Sequence, residues 1–166
     1  KGDWMIVEAD ERDGSFLRLP HQINIITNID SEHLDYYKSK KNLLIAFKNF
    51  INNLPFYGYS IVCIDNLNLK RLATKIKTRK IITYSKSQDS DVIISNIVKN
   101  KISTEFALKF NKEIIKGYKN QINFKTTLLG EHNILNCTAA IIASILAGVP
   151  IRGIQNALNS FEGVRR

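Results

Sequence analysis

The sequence predicts an α/β protein: a mostly parallel sheet flanked by helices, joined to a small antiparallel β meander. Three observations carry this. Four short, nearly continuous β-prone runs occur before residue 90, the pattern of strands buried on both faces. Helical periods lie between the later runs, and strand–helix–strand alternation implies parallel pairing with right-handed crossovers. Beyond residue 90 apolar and polar residues alternate between polar turns, as in antiparallel strands with one solvated face.

In chain order, Trp4-Met5-Ile6-Val7 predicts a first strand running into acidic residues. Ile23–Thr27 predicts a second, Ser60–Ile64 a third that ends at Asp65, and Lys80–Tyr84 a fourth. Leu43, Leu44, Phe47, Phe50, Ile51 and Leu54 recur at helical spacing over 39–54, where Pro55 stops the helix. Leu67, Leu69, Leu72 and Ile76 mark a shorter helix. Asp91–Ile97, Thr104–Phe110 and Ile122–Leu128 form the expected meander, with Lys116-Gly117 in one of its turns. A helix then runs from about Gly130 to Ala147, with Gly148 as its C-cap, and Pro150 opens a last helix to about Ser160.

The 166 residues amount to one domain, 44% apolar and 23% charged, an ordinary globular composition. No apolar run approaches the roughly 20 residues that span a bilayer, and no secretory signal opens the chain. A cytoplasmic protein without membrane insertion is expected. Residue 1 is not Met, so it is not expected to be the start of the gene product. Cys63 and Cys137 sit in apolar segments outside any metal-ligand spacing and read as small buried hydrophobes in a reducing compartment. The net charge of +9 raises a polyanion partner. The lysines are scattered, however, and no aromatics interleave them as a stacking platform needs, so no nucleic-acid partner is expected.

The chemistry is expected at the carboxyl ends of the strands, where open α/β sheets bind ligands. Glu8-Ala9-Asp10-Glu11-Arg12-Asp13 follows the first run, and Thr27 to Asp35, with Asn28, Asp30 and His33, follows the second. If those strands are parallel neighbours, Glu8 and His33 reach one crevice and a divalent cation fits between them. On the residues alone, solvated acidic loops and a helix-capping His33 explain the pattern as well, and magnesium prefers oxygen to imidazole. A third cluster opens the helix at 130: Asn133 and Asn136, three apart, share a face beside His132. Carboxamides match the amino and ring-nitrogen edge of adenine. Helix capping by Asn, with a packed His132, is the other reading.

A resemblance bears on these alternatives. "GEHNILNCTAA" (residues 130–140) resembles the Mur ligase element G-x-H-N-x-x-N-x-x-A-A, which contacts adenine. "EADERDGSFLRL" and "TNIDSEHLDYY" resemble the segments that supply that family's catalytic metal ligands. "NFINNLPFYG" (residues 49–58) resembles a stretch characteristic of the L-alanine-adding branch. Other branches carry a carbamylated lysine near the place of Phe47; its absence here is in keeping with that branch, and Lys48 reads as a surface residue. The resemblance implies Glu8 and His33 as magnesium ligands with a catalytic role and His132, Asn133 and Asn136 around the adenine of ATP. Asn28, Asp30 and Asp35 match the active-site segment without fixed roles.

The resemblance also implies that residues 1–166 form the family's central ATP-binding domain, truncated at its N-terminus. No G-x-x-x-x-G-K-[ST] phosphate loop occurs in the chain, and the flanking UDP-binding and C-terminal domains are not expected within it. The implied reaction of the whole enzyme is ATP-dependent amide formation between UDP-N-acetylmuramate and L-alanine through an acyl phosphate, in peptidoglycan synthesis; this piece alone is expected to be inactive. Two rival expectations remain: a muropeptide-recycling ligase of the same family, and a non-catalytic α/β module that binds polyanions.

Overall fold

The computed structural model describes residues 2–30, 34–77, 79–111 and 121–163. One six-stranded sheet organises them, with strands in sequence order β1-β2-β3-β4-β5-β6. The strands are β1 (Ile23–Ile26), β2 (Tyr59–Cys63), β3 (Lys80–Ser85), β4 (Val92–Lys99), β5 (Thr104–Phe110) and β6 (Ile122–Thr126). β1 to β4 pair in parallel; β4–β5 and β5–β6 are antiparallel. The expected fold class therefore holds, with the meander fused onto the parallel strands as one sheet.

The helices are α1 (Leu34–Tyr37), α2 (Lys40–Asn52), α3 (Leu67–Lys75), α4 (Glu131–Leu146) and α5 (Ile151–Ser160). Helix α2 begins where the Ser39 side chain accepts a hydrogen bond from the Asn42 amide, and α3 where Asn66 accepts from Asn68 and Leu69. Each side chain satisfies backbone donors that the helix itself leaves open. Helix α4 ends as expected: Gly148 takes φ +85°, and the amides of Gly148 and Val149 return to the carbonyls of Ile145 and Ser144.

Strand register sorts the side chains between two faces. Asn24, Ser60 and Ile81 lie side by side on one face, and Ile25, Ile61 and Ile82 on the other. Asn24 donates to the Phe50 carbonyl of α2, so α2 covers the first face. Ile61, Cys63, Ile82 and Tyr84 on the second face are buried, and α4 is the helix that packs along β1, β2, β3 and β5. The core is thus a sheet with helices on both sides. Phe16, 2% exposed, anchors the short 3-10 turn Ser15–Arg18 against the rings of Phe47 and Phe50 on α2 at 5.4 and 4.8 Å. Lys48 is exposed and Phe47 buried. Both cysteines are free and buried, and burial pushes each thiol up from its ordinary value.

Two details depart from a regular alternation. β3 and β4 pair in parallel over Tyr84↔Val92 and Ser85↔Ile93 alone, across a connection too short for a helical crossover. The chain doubles back instead. Asp91, 8% exposed, accepts from the amide and hydroxyl of Thr83 at 3.0 and 2.9 Å, and β4 starts again beside the end of β3. The second departure corrects an expectation. Trp4–Val7 forms no strand: the segment is irregular and exposed, Ile6 to 97%. Strand propensity describes fit to a ladder, and this run has no neighbour among the described residues. The Lys116-Gly117 turn lies outside the described residues.

Candidate functional site

The carboxyl ends of β1, β2 and β3 are joined by a chain of polar contacts. After β1, Asn28 bonds Asp30, and its oxygen accepts from the Asn66 amide group at 2.6 Å. Asn66 follows β2 and caps α3. Asp65, beside it, accepts from the Lys86 backbone amide at 3.3 Å, just past the end of β3. The Lys86 ammonium reaches Glu131 at 3.0 Å, and Lys99 from β4 reaches the other oxygen of Glu131 at 3.3 Å. These ion pairs are exposed to solvent, which screens them, so they add little to stability. Their value is positional: they hold the start of α4 over the end of β3. Hydrogen bonds first from Lys86 and then from Lys99 hold the Glu131 carboxyl below its usual range.

Gly130 takes φ +102°, with the His132 ring folded against it; a Cβ there would lie 3.0 Å from the imidazole. The positive φ favours glycine there, and an added Cβ would press against the ring. Asn133 is half-buried, and its amide group donates to the Leu129 carbonyl at 2.8 Å. That bond orients the carboxamide and leaves its oxygen as an acceptor. Asn136 is exposed and makes no hydrogen bond among the described residues. The structure thus brings His132, Asn133 and Asn136 together on the first turns of α4, with no side-chain cap on that helix.

Glu8 sits in the irregular acidic segment, where Glu8, Ala9, Asp10 and Glu11 line an open depression of about 470 Å³. It does not end a strand, so the expected geometry of two adjacent strand ends is corrected: β1 supplies one end, and a loop the other. The loop is turned by its own backbone bonds, Arg12 amide to Asp10 and Gly14 amide to the Glu11 carbonyl, and tied to α1 through Tyr37. Burial, followed by the neighbouring Tyr36 and the acidic loop, pushes the Tyr37 hydroxyl up to about 12, so it stays a proton donor. His33 lies outside the described residues, as does the side chain of Asp35. Among the described residues no three metal-ligating side chains converge, and neither Glu8 nor Asp10 bonds to α4. The donor chemistry of the loop, carboxylate oxygens open to solvent, fits magnesium.

Sequence reasoning missed Asp65, Asn66, Lys86 and Lys99. A signal for the first pair was present: Ser60–Ile64 runs into Asp65-Asn66 just as the second run meets Asn28. Lys86 and Lys99 carry no local pattern and become visible only through the fold.

Residues 3–144 match the model of the Mur ligase middle domain. The chain belongs to the Mur ligase family. It is 40% identical over 165 residues to a UDP-N-acetylmuramate–L-alanine ligase of Rhodopseudomonas palustris, a match covering 99% of this chain and 35% of that protein. A protein of the same name from Rickettsia felis is 43% identical over 165 residues, covering 99% and 34%. The chain thus spans about a third of the length of these curated relatives. Among solved structures, the UDP-N-acetylmuramate–alanine ligase of Thermotoga maritima aligns with a TM-score of 0.76 at 21% identity, covering 95% of this chain and 33% of that one. A UDP-N-acetylmuramate:L-alanyl-γ-D-glutamyl-meso-diaminopimelate ligase from a Neisseria species aligns with a TM-score of 0.77 at 20% identity, covering 96% and 48%. These structural likenesses carry the Mur ligase fold. No helix of the described residues is long and apolar enough to cross a membrane.

Proposed function

We propose that this chain is the central ATP-binding domain of a cytoplasmic UDP-N-acetylmuramate–L-alanine ligase, and that the UDP-binding and amino-acid-binding domains and the phosphate loop belong to flanking sequence. The observation that carries this reading is identity of about 40% along 99% of the chain to ligases of that name. In the proposed reaction ATP phosphorylates the lactyl carboxylate of UDP-N-acetylmuramate, and the amine of L-alanine attacks the resulting acyl phosphate, releasing phosphate and leaving an amide. A carboxylate is a poor acyl donor until one of its oxygens becomes part of a leaving group, which is why the reaction consumes ATP.

Glu8 and His33 would hold magnesium, which when bound supplies positive charge against the transferring phosphoryl group. The chain's own residues do the rest of the positioning. His132, Asn133 and Asn136 would line the adenine, with the fixed Asn133 oxygen accepting from its amino group. The Lys86–Glu131–Lys99 bridge keeps that face of α4 above the end of β3. The Asn28–Asn66 contact keeps the segment leading to His33 at the same edge of the sheet.

The acceptor test separates this enzyme from the recycling ligase. The full-length enzyme, given ATP, magnesium and UDP-N-acetylmuramate, is expected to form the L-alanine amide and to use the tripeptide acceptor at under about 1% of that rate, a discrimination well within what a pocket that leaves polar groups unpaired achieves. A product of tripeptide mass at comparable rate assigns the chain to the recycling reaction. Formation of neither product, together with tight, sequence-selective binding of nucleic acid at physiological salt, favours the non-catalytic module.

A further inference from the structure

Along the chain the basic residues look scattered, but the fold gathers a group of them. Residues 36–88 hold 11 of the 24 Lys and Arg and one of the 15 Asp and Glu, Asp65. Asp65 follows the end of β2, at the carboxyl edge of the sheet. The opposite, amino edge is built from the segments that lead into β1, β2 and β3, and hydrogen bonds tie these together. The Tyr59 amide donates to the Gln22 carbonyl at 2.9 Å, the Asn53 side chain to the Leu17 carbonyl at 3.1 Å, and the Arg79 guanidinium to the Asn52 carbonyl at 2.8 Å.

Two kinds of exposed side chain meet on this edge. Pro55 to Gly58 form a turn closed by a bond from the Gly58 amide to the Pro55 carbonyl at 2.9 Å, which puts Phe56 and Tyr57 at its corners, 85% and 49% exposed. The turn is closely seated, since a Cβ on Gly58 would fall 2.6 Å from the Gln22 carbonyl. Next to it, Lys75, Lys77 and Lys80 are exposed, and none of the three pairs with a carboxylate among the described residues. Tyr59 and Lys80 are partners in the β2–β3 register, and the Lys80 ammonium lies 5.0 Å from the centre of the Tyr59 ring. An apolar tip beside cations that lack a counter-charge marks a contact surface.

We propose that this edge docks the protein peripherally on anionic lipid headgroups, with Lys75, Lys77 and Lys80 against the surface charge and the Phe56–Tyr57 tip entering the interfacial layer. A lipid interface accepts both features, because basic clusters are drawn to anionic headgroups and aromatic rings settle at that depth. Two signals together are what reversible anchoring requires. Other partners fit less well. Phe56 and Tyr57 meet at 87°, so they offer no aligned faces on which successive bases could stack, and a second copy docked on this edge would bring like charges together. The candidate nucleotide site lies at the other edge of the sheet and stays open to solvent when the amino edge is docked.

The test is flotation of the full-length protein with vesicles of phosphatidylglycerol in phosphatidylcholine, and with vesicles of phosphatidylcholine alone. Binding to the anionic vesicles is expected, falling as salt rises, with little binding to the neutral ones. Lys75→Gln combined with Lys77→Gln is expected to weaken the partition about 20-fold, on the scale of about fivefold for each basic residue near an anionic surface. Phe56→Ser is expected to weaken it about fivefold or more through the lost apolar ring. Melting curves of both variants should match wild type, since the substituted side chains are exposed. No binding to anionic vesicles, equal binding to neutral ones, or anionic binding that neither variant weakens overturns the proposal. Duplex DNA bound more tightly than vesicles at the same salt, or a doubling of mass in sedimentation that Phe56→Ser abolishes while vesicles go unbound, gives the surface to another partner and overturns it as well. Vesicle binding is measured without nucleotide or magnesium, so its failure leaves the ligase reading untouched.

Discussion

Glu8→Gln is expected to reduce turnover of the full-length enzyme by about 100-fold or more, the scale on which removal of one charge-stabilising group acts in a transition state. Glutamine keeps the shape of the side chain and removes its charge. Glu8 is exposed and lies on a loop without regular structure, so the substitution should leave stability within about 0.5 kcal/mol of wild type. Activity and folding are thereby separated: a large fall in kcat with an unchanged melting curve places Glu8 at the reacting phosphoryl group. Near-normal turnover at saturating magnesium would remove it from the metal site, and Asp10 or Glu11, which line the same depression, would be the next carboxylates to examine.

Nucleotide choice is the second large effect. The wild-type enzyme is expected to prefer ATP to GTP, and Asn136→Leu to shrink that preference. Asn133 has its amide nitrogen committed to the Leu129 carbonyl, so it offers an oxygen, which suits the amino group of adenine and meets the O6 acceptor of guanine unfavourably. Asn136, one turn on and with no side-chain hydrogen bond among the described residues, carries a donor and an acceptor together, which matches the N6/N7 edge of adenine but not the O6/N7 edge of guanine, where both positions are acceptors. Leaving a polar group of the base unpaired costs roughly 1–3 kcal/mol, about 5- to 150-fold in binding. Dissociation constants for both nucleotides in wild type and variant measure it. An unchanged ratio makes Asn136 a residue of the helix surface alone and moves adenine recognition elsewhere.

The strand and helix periods were legible because burial imposes them. Ile61, Leu72 and Ile141 are core residues in the structure and fell within the apolar patterns of the sequence. The Gly148 cap was legible because few residues take a positive φ without cost. Trp4–Val7 was misread for a physical reason: a β-prone tetrapeptide is a strand only when another strand lies beside it, and nothing local reports that. The β3–β4 link was equally hidden, since it depends on Asp91 finding the Thr83 amide and hydroxyl across a turn.

Of the candidate site, the α4 cluster was legible from spacing, because residues three and four apart on a helix must share a face. The Lys86–Glu131–Lys99 bridge was not, because it joins residues 45 and 32 positions apart and no periodicity spans such gaps. The Tyr37 hydroxyl escaped notice too. An aromatic beside a helix reads first as core, and only the position of the Glu11 carbonyl turns its polar end into an anchor.

The acyl-phosphate reading has a direct isotopic test. UDP-N-acetylmuramate labelled with oxygen-18 in its lactyl carboxylate is turned over by the full-length enzyme with ATP and L-alanine, and the released phosphate is analysed by mass. The account predicts that each phosphate released carries one oxygen derived from the carboxylate, because that oxygen leaves with the phosphoryl group when the amine attacks. Label found in AMP, or phosphate free of label while the amide accumulates, would contradict it.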